Sequence, residues 1–334
     1  MSTVPERRTP VALLAAGTLV ALFALVPLGF VITYTVITGP SEAWHLLWRP
    51  RIGELLFNTA RLLVAVVILS VLIGIGAAWL VERSTLRWRG LWHTLLVAPL
   101  AVPAFVNSYG WVSLTTSVQN YWGATLIVTL SYYPLVYLPT VATLRGLDPA
   151  LEETALSLGH SRWRAFTSVV LPQLRPAVLG GALLVGLHLL AEYGAVQMLR
   201  FPTFTTAIYD QYKSAFNAPA ANMIAGVLVL GCVLLLTVEL RLRGQRRYVR
   251  LGQGTARLAE RLPLGRASAP VHLALAGLVA LALGVPTYSL VHWLRVGSST
   301  QFPVDDLVAA TVSTLGLAAA AAVVTVIFAL PVAW

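Results

Sequence analysis

Long apolar stretches, each about as long as the hydrocarbon core of a bilayer is thick, recur along this chain with polar connections between them. About 20 apolar residues in a helix cross roughly 30 Å. Stretches of that kind fall at 11–37, 55–81, 91–116, 122–144, 177–199, 222–240, 271–294 and 307–334. They predict an all-α fold, a polytopic bundle of about eight membrane-spanning helices. Pro99, Pro103, Pro134 and Pro139 interrupt the third and fourth stretches, and Asn107, Ser108, Gln119 and Asn120 make them more polar, so breaks are expected there. Arg7 and Arg8 precede the first stretch as they would in a secretory signal. Its apolar run exceeds the roughly 7–15 residues of a signal core, which predicts an uncleaved helix.

Composition narrows the class further. Of 334 residues, 57% are hydrophobic and only 11% charged, against roughly 25% charged in soluble domains. Such a chain cannot cover a water-exposed surface, and it reads as an integral membrane protein. The net charge of +10 would suit nucleic acid, so its placement decides. With the N-terminus in the cytoplasm, seventeen basic residues fall in cytoplasmic segments, at 7–8, 83–89, 145–175 and 241–266. Only five fall outside: Arg49, Arg51, Arg200, Lys213 and Arg295. This bias fixes the orientation and accounts for the basic charge without nucleic acid. Trp44, Trp48, Trp88, Trp92 and Trp293 lie near span ends and are expected as interfacial anchors. The single cysteine, Cys232, excludes an intrachain disulfide and a cysteine-based metal site. No cofactor or resident metal is implied.

One cytoplasmic segment stands apart. Residues 148–172, DPALEETALSLGHSRWRAFTSVVLP, form an amphipathic, Arg-bearing stretch between two spans. Asp148 is placed to cap a helix begun by Pro149, with Glu152 and Glu153 in its first turn, favoured by the helix dipole. Ala155 is small enough for close approach to a partner. Gly159 supplies the left-handed residue that ends this helix. A second short helix is predicted from about Arg162, with Pro172 ending it before the next span. An interfacial helix pair facing lipid headgroups would share this amphipathicity. Here, however, Glu153-Thr154-Ala155, Gly159 and Val169-Val170-Leu171-Pro172 stand at the spacing E-A-A-x3-G-x9-I-x-L-P. Thr154, where the pattern has Ala, is the one departure.

That spacing resembles the cytoplasmic loop by which type I permeases of ATP-binding-cassette importers dock on their ATPase. The segments LLFNTARLLVAVVILSVLIGIGAAWLVERS, APLAVPAFVNSYGW and AEYGAVQMLRFPTFTTAIYDQY are similar to the two-half permeases of ferric-iron importers, with thiamine and polyamine permeases as relatives. The likeness covers about 50–240, with a partial second copy from about 271. It implies a bacterial inner-membrane permease whose docking residues are Glu152, Glu153, Thr154, Ala155, Gly159, Leu171 and Pro172. It also implies cytoplasmic ATPase subunits and an extracytoplasmic solute-binding protein as partners, the latter supplying most of the selectivity. Ferric iron is the leading solute; thiamine, a polyamine or another small solute is the alternative.

The organisation follows. Residues 1–53 hold the first helix and an outer loop, 54–240 the permease domain, and 241–270 a basic cytoplasmic linker. Residues 271–334 read as the start of a second half, because Val285-Pro286 and Ser313-Thr314 repeat the placing of Val26-Pro27 and Asn58-Thr59. The sequence stops at Trp334 within an apolar stretch, which leads to the expectation that this second half is truncated.

Polar groups at membrane depth are the remaining candidates. His188, Glu192, Tyr193 and Asn107 are expected to line a translocation path, His188 and Glu192 sharing one helical face four residues apart. Alternatively, Glu192 pairs with Arg61 or caps a kink near Gly194, and Asn107 marks a structural kink beside Pro103. An ion-gradient transporter would carry several intramembrane carboxylates, whereas Glu192 is nearly alone. A P-loop needs Gly-Lys-Ser/Thr, and the only lysine, Lys213, follows Tyr212. No catalytic constellation such as HExxH is present, so the chain reads as a transport subunit and not as an enzyme.

Overall fold

A computed structural model describes residues 11–39, 41, 44–45, 48–243, 261–297 and 303–333. The expected 241–270 linker lies largely outside these residues. Among them all regular structure is helical, apart from one isolated bridge between Ser84 and Leu262. Six helices are long and apolar enough to cross a membrane, and two bent pairs raise the number to as many as eight. The chain is a multi-pass membrane protein of the all-α class. It divides into two compact units, residues 41–293 and residues 1–40 with 294–334.

The larger unit is organised on α2, Pro50–Arg83. Its 34 residues extend about 51 Å at the helical rise. It packs along α6, Pro134–Gly146, and α9, Leu171–Ala191, and α9 in turn lies against α12, Ala218–Arg243. Small residues let these backbones meet. A Cβ on Gly74 of α2 would stand 2.9 Å from Val136 Cβ of α6, and one on Gly181 of α9 would stand 2.7 Å from Val136 Cα. Lipid is as apolar as a leucine side chain, so close packing of this kind, rather than burial from water, holds helices together. Tyr133 and Tyr137 are fully buried, and their hydroxyls reach the Leu96 carbonyl at 2.9 Å and His93 Nδ1 at 2.8 Å. The rings therefore bury without stranding a polar atom.

The third apolar stretch is a broken span. α3, Arg89–Val97, runs into a 3-10 turn at Ala98–Ala101, and α4, Ala104–Leu114, leaves at 90°. Pro99 and Pro103 remove the N–H groups a continuing helix would need. α5, Tyr121–Tyr132, opens on Asn120, whose Oδ1 accepts from the N–H groups of Trp122 and Gly123 at 2.9 and 3.1 Å. Together with α6 it makes one span over Tyr121–Gly146 despite Pro134. Trp92 departs from the expected interfacial role. It is buried against His272, with ring centroids 5.8 Å apart, because α13, Ser268–Val279, covers it.

The helix that opens the expected second half packs on the first block. Pro286, in α14, Val285–Val296, sits where a Cβ on Gly110 would come within 2.6 Å of its Cα, and Ser289 hydrogen-bonds Ser113. In the smaller unit, α1, Val11–Thr38, packs on α15, Val304–Ala333, with Phe23 set edge-on to Phe328 at 5.7 Å.

Candidate functional site

At one end of α2 lies the segment 147–172. Asp148 Oδ1 accepts the Ala150 N–H at 3.1 Å and so opens α7, Ala150–Ser157. The helix closes on Gly159 at φ +84°. There the Gly159 N–H bonds the Leu156 carbonyl at 3.0 Å and the His160 N–H bonds the Ala155 carbonyl at 3.1 Å. This double closure is the Schellman arrangement, which requires a residue free to adopt positive φ. Ser161 Oγ then accepts the Arg164 N–H at 3.3 Å and starts α8, Arg162–Ala165. The backbone of this exposed loop is thus largely satisfied by its own caps.

The expected docking residues divide into two groups. Glu153 and Thr154 are exposed, and Thr154 Oγ1 bonds the Ala150 carbonyl within its own helix at 2.7 Å, so the departure from Ala costs no stranded hydroxyl. Glu152 instead turns inward, 3.2 Å from Arg83 of α2. Ala155, expected to face a partner, is buried within the chain, where α7 packs on the wide turn Phe166–Val170. Pro172 does not end the second helix. α8, the π turn and α9 form one continuous span, Arg162–Ala191. The π turn is the reason. Leu171 already bonds five residues back to Phe166, so the ladder is shifted just where Pro172 lacks its donor. Leu171 and Pro172 therefore belong to the half-buried base.

Two residues that the pattern did not single out dominate the exposed face. Leu158 is 75% exposed and Trp163 73%, flanked by Glu153, Arg162 and Arg164. Trp163 stacks near Phe166 at 5.7 Å, and Phe166 rests edge-on against Trp79 of α2 at 4.4 Å. Two large apolar side chains in a short polar connection between spans, one in the turn and one in α8, were the available signal. A notch of about 60 Å³ is lined by Trp79, Pro149, Glu152, Glu153, Leu156, Arg162 and Leu262.

The other expected set sits at the opposite end of α9. That helix stops at Ala191, and Glu192 is extended, at φ −75° and ψ 118°. Glu192 is therefore not on a shared helical face with His188, nor in the middle of a span. Its carboxylate accepts from the Tyr132 hydroxyl through Oε2 and from the Ala195 N–H through Oε1 at 2.8 Å. Its carbonyl accepts from Thr205 Oγ1 at 2.7 Å. It caps α10, Gly194–Met198, as one of the alternatives held. The other alternative fails, because Arg61 lies among the rings of Phe57, Tyr121 and Phe201, 4.6–5.2 Å from their centroids. His188 is exposed and meets Glu192 only through Tyr132, whose ring lies 5.7 Å away. Tyr193 stacks on Tyr209 at 4.5 Å. Asn107 is buried and donates to Ser131 Oγ at 2.9 Å in the packing of α4 on α5.

The profile of binding-protein-dependent transport system inner membrane components matches residues 70–242, a stretch that contains all of 148–172 and Arg83. The chain is 36% identical over 332 residues to the Fe(3+)-transport system permease protein FbpB 2 of Haemophilus influenzae, covering 98% of this chain and 65% of that protein. The sulfate transport system permease protein CysT of Escherichia coli is 29% identical over 261 residues, covering 71% of this chain and 94% of that one. The molybdenum transport system permease protein ModB of Escherichia coli is 30% identical over 193 residues, covering 52% and 84%. Among solved structures, a bacterial ABC transporter involved in the import of the acidic polysaccharide alginate superposes with a TM-score of 0.51 at 15% identity. That superposition covers 69% of this chain and 93% of the other, and supports the fold.

Proposed function

We propose that this chain, which belongs to the family of binding-protein-dependent transport system inner membrane components, forms the transmembrane pathway of an ATP-binding-cassette importer of ferric iron. The observation that carries the reading is the loop at 148–172. It presents Glu153, Leu158 and Trp163 outward from a self-capped turn and the short helices beside it, next to a membrane-length helix. A cytoplasmic ATPase binds this surface, and nucleotide-driven motion of the loop tilts the bundle between inward- and outward-open states. The energy comes from that partner, and a binding protein on the other side delivers the solute.

The orientation in this reading places the N-terminus, the docking loop and residues 244–260 in the cytoplasm of a bacterial cell. A cysteine introduced at Gln253 is then shielded from an impermeant thiol reagent added to intact cells, and outside labelling inverts the topology. Iron as the solute rests on the FbpB 2 relative, which matches nearly all of this chain. The sulfate and molybdenum permeases favour a second reading, an oxyanion. Proteoliposomes loaded with ATP, ATPase and binding protein decide between them. Radioiron accumulation that needs ATP supports the first reading. Sulfate or molybdate accumulation without iron uptake supports the second, and uptake driven by an ion gradient without ATP rejects both.

A further inference from the structure

The end of α2 carries Glu82 and Arg83 side by side, and they reach opposite charges on two consecutive elements. Glu82 Oε1 accepts from Nε and Nη2 of Arg145, in the last turn of α6, at 2.9 and 2.6 Å. Arg83 Nη1 lies 3.2 Å from Glu152 Oε2, in the first turn of α7. The two pairs differ in their surroundings. The Arg145 side chain is 54% exposed, whereas that of Arg83 is 5% exposed. Their glutamates are 13% and 22% exposed, so the contrast lies in the arginines: an exposed guanidinium is screened by water, while a buried one is stranded when its partner is removed.

The C-terminal part of the expected linker reaches the same place. The Leu262 N–H bonds the Arg83 carbonyl at 2.9 Å, the Thr85 N–H bonds the Leu262 carbonyl at 2.9 Å, and the Leu264 N–H bonds Thr85 Oγ1 at 3.2 Å. Leu262 thereby enters the wall of the notch that Glu152, Leu156 and Trp79 also line. The start of the docking helix, the end of α2 and the segment 261–264 are fastened at one point, and Arg83 is the buried charge in that point.

We propose that Arg83 is a positioning residue for energy coupling: it latches the docking helix to α2, with the segment 261–264 as the back wall of the latch. This rests on reading 148–172 as the ATPase-docking loop. α7 is only eight residues long and joins its neighbours through turns. Without the ion pair it pivots on those turns, and displacement by the ATPase is absorbed in the loop. With the pair in place, displacement passes into α2 and along its whole length. Glu152 and Glu153 thus have different jobs, one holding the permease together and the other meeting the partner.

The test uses the assembled transporter in proteoliposomes, with ATPase captured on the permease, ATP hydrolysis and solute uptake all measured. Arg83→Gln and Glu152→Gln are each expected to keep ATPase capture and continue to hydrolyse ATP, while uptake per ATP falls about tenfold or more. Arg83→Lys keeps the charge and is expected to retain most of the coupling. The swap Arg83→Glu with Glu152→Arg restores uptake per ATP above either single variant. Should Arg83→Gln fail to reach the membrane, Glu152→Gln carries the comparison, since its side chain is 22% exposed and tolerates an amide. Wild-type uptake per ATP in the single variants, or a swap no better than they are, overturns the latch. Unchanged ATPase capture in a Glu153→Arg, Trp163→Ala double variant overturns the docking reading itself, and the latch with it.

Discussion

The two ends of the span Arg162–Ala191 each adjoin a helix break marked by a glutamate and a glycine, and they are built in opposite senses. At the end near Arg162 the backbone satisfies itself through the Asp148 cap, the double closure at Gly159 and the Ser161 cap. Glu153, Leu158 and Trp163 are left outside. At the far end Glu192 spends its carboxylate and its carbonyl on Tyr132, Ala195 and Thr205, and Gly194 is pressed against Phe105, where a Cβ would stand 2.8 Å from Phe105 Cβ. On the proposed reading the first break is a surface for a partner; the second is a joint closed on itself. Polarity in an apolar sequence does not distinguish them. Where the hydrogen bonds go does.

The largest effect that tests this contrast is at Gly159. No heavy atom stands within 4 Å of a Cβ added there, so crowding is not the issue; φ +84° is. A β-branched side chain in the left-handed region costs on the order of 1–2 kcal/mol, and the turn relieves that cost by changing course. Gly159→Val is expected to abolish solute uptake while membrane insertion stays normal. Gly159→Asn, which tolerates this region, is expected to keep a substantial part. Equal uptake in the two variants and wild type would show that the turn does not set the docking geometry.

Next in size is the exposed apolar pair. Trp163→Ala leaves the fold alone, since the side chain is 73% exposed. If it is an anchor, ATPase capture weakens by about 2 kcal/mol, some thirtyfold. Leu158→Ala has a smaller effect in the same direction. Retained capture in both would transfer the docking role to the charged residues, Glu153, Arg162 and Arg164.

At the closed joint the expected sign is different. Tyr132→Phe strands one oxygen of Glu192, at a cost of about 1–3 kcal/mol, and lowers the thermal midpoint of the purified permease by a few degrees. Uptake per folded molecule and solute preference stay as they were. A change of preferred solute in Tyr132→Phe or Glu192→Gln, without loss of stability, would return Glu192 to the pathway.

What could be read from the sequence was what is local. The spans follow from apolar length, the cap from Asp148 and the turn from Gly159, because each depends on neighbours within a few residues. The prolines announced the break at 99–103 but not its 90° angle. Pro172 misled, because a wide turn just upstream takes up its missing bond, and no composition rule marks a π turn. The shared face of His188 and Glu192 assumed a helix running to residue 199, when it stops at Ala191. The Arg83–Glu152 pair and the Leu262 bridge join segments far apart in the chain, so neither had a local signal. Arg83 read only as one more cytoplasmic arginine.

The smallest expected effect is at Thr154, and its smallness is informative. Thr154→Ala restores the family pattern at this position. The Thr hydroxyl bonds the Ala150 carbonyl one turn back at 2.7 Å, a contact that competes with the helix rather than supporting it. Alanine also has the higher helix propensity, by a few tenths of a kcal/mol. The exchange is therefore expected to leave ATPase capture and uptake within about twofold of wild type, as surface substitutions away from a cap or an ion pair usually do. Thermal stability holds or rises slightly. A large loss of capture on Thr154→Ala would mean that the threonine methyl or hydroxyl meets the ATPase directly. The docking surface would then extend along this side of α7, beyond the turn at Leu158 and Gly159.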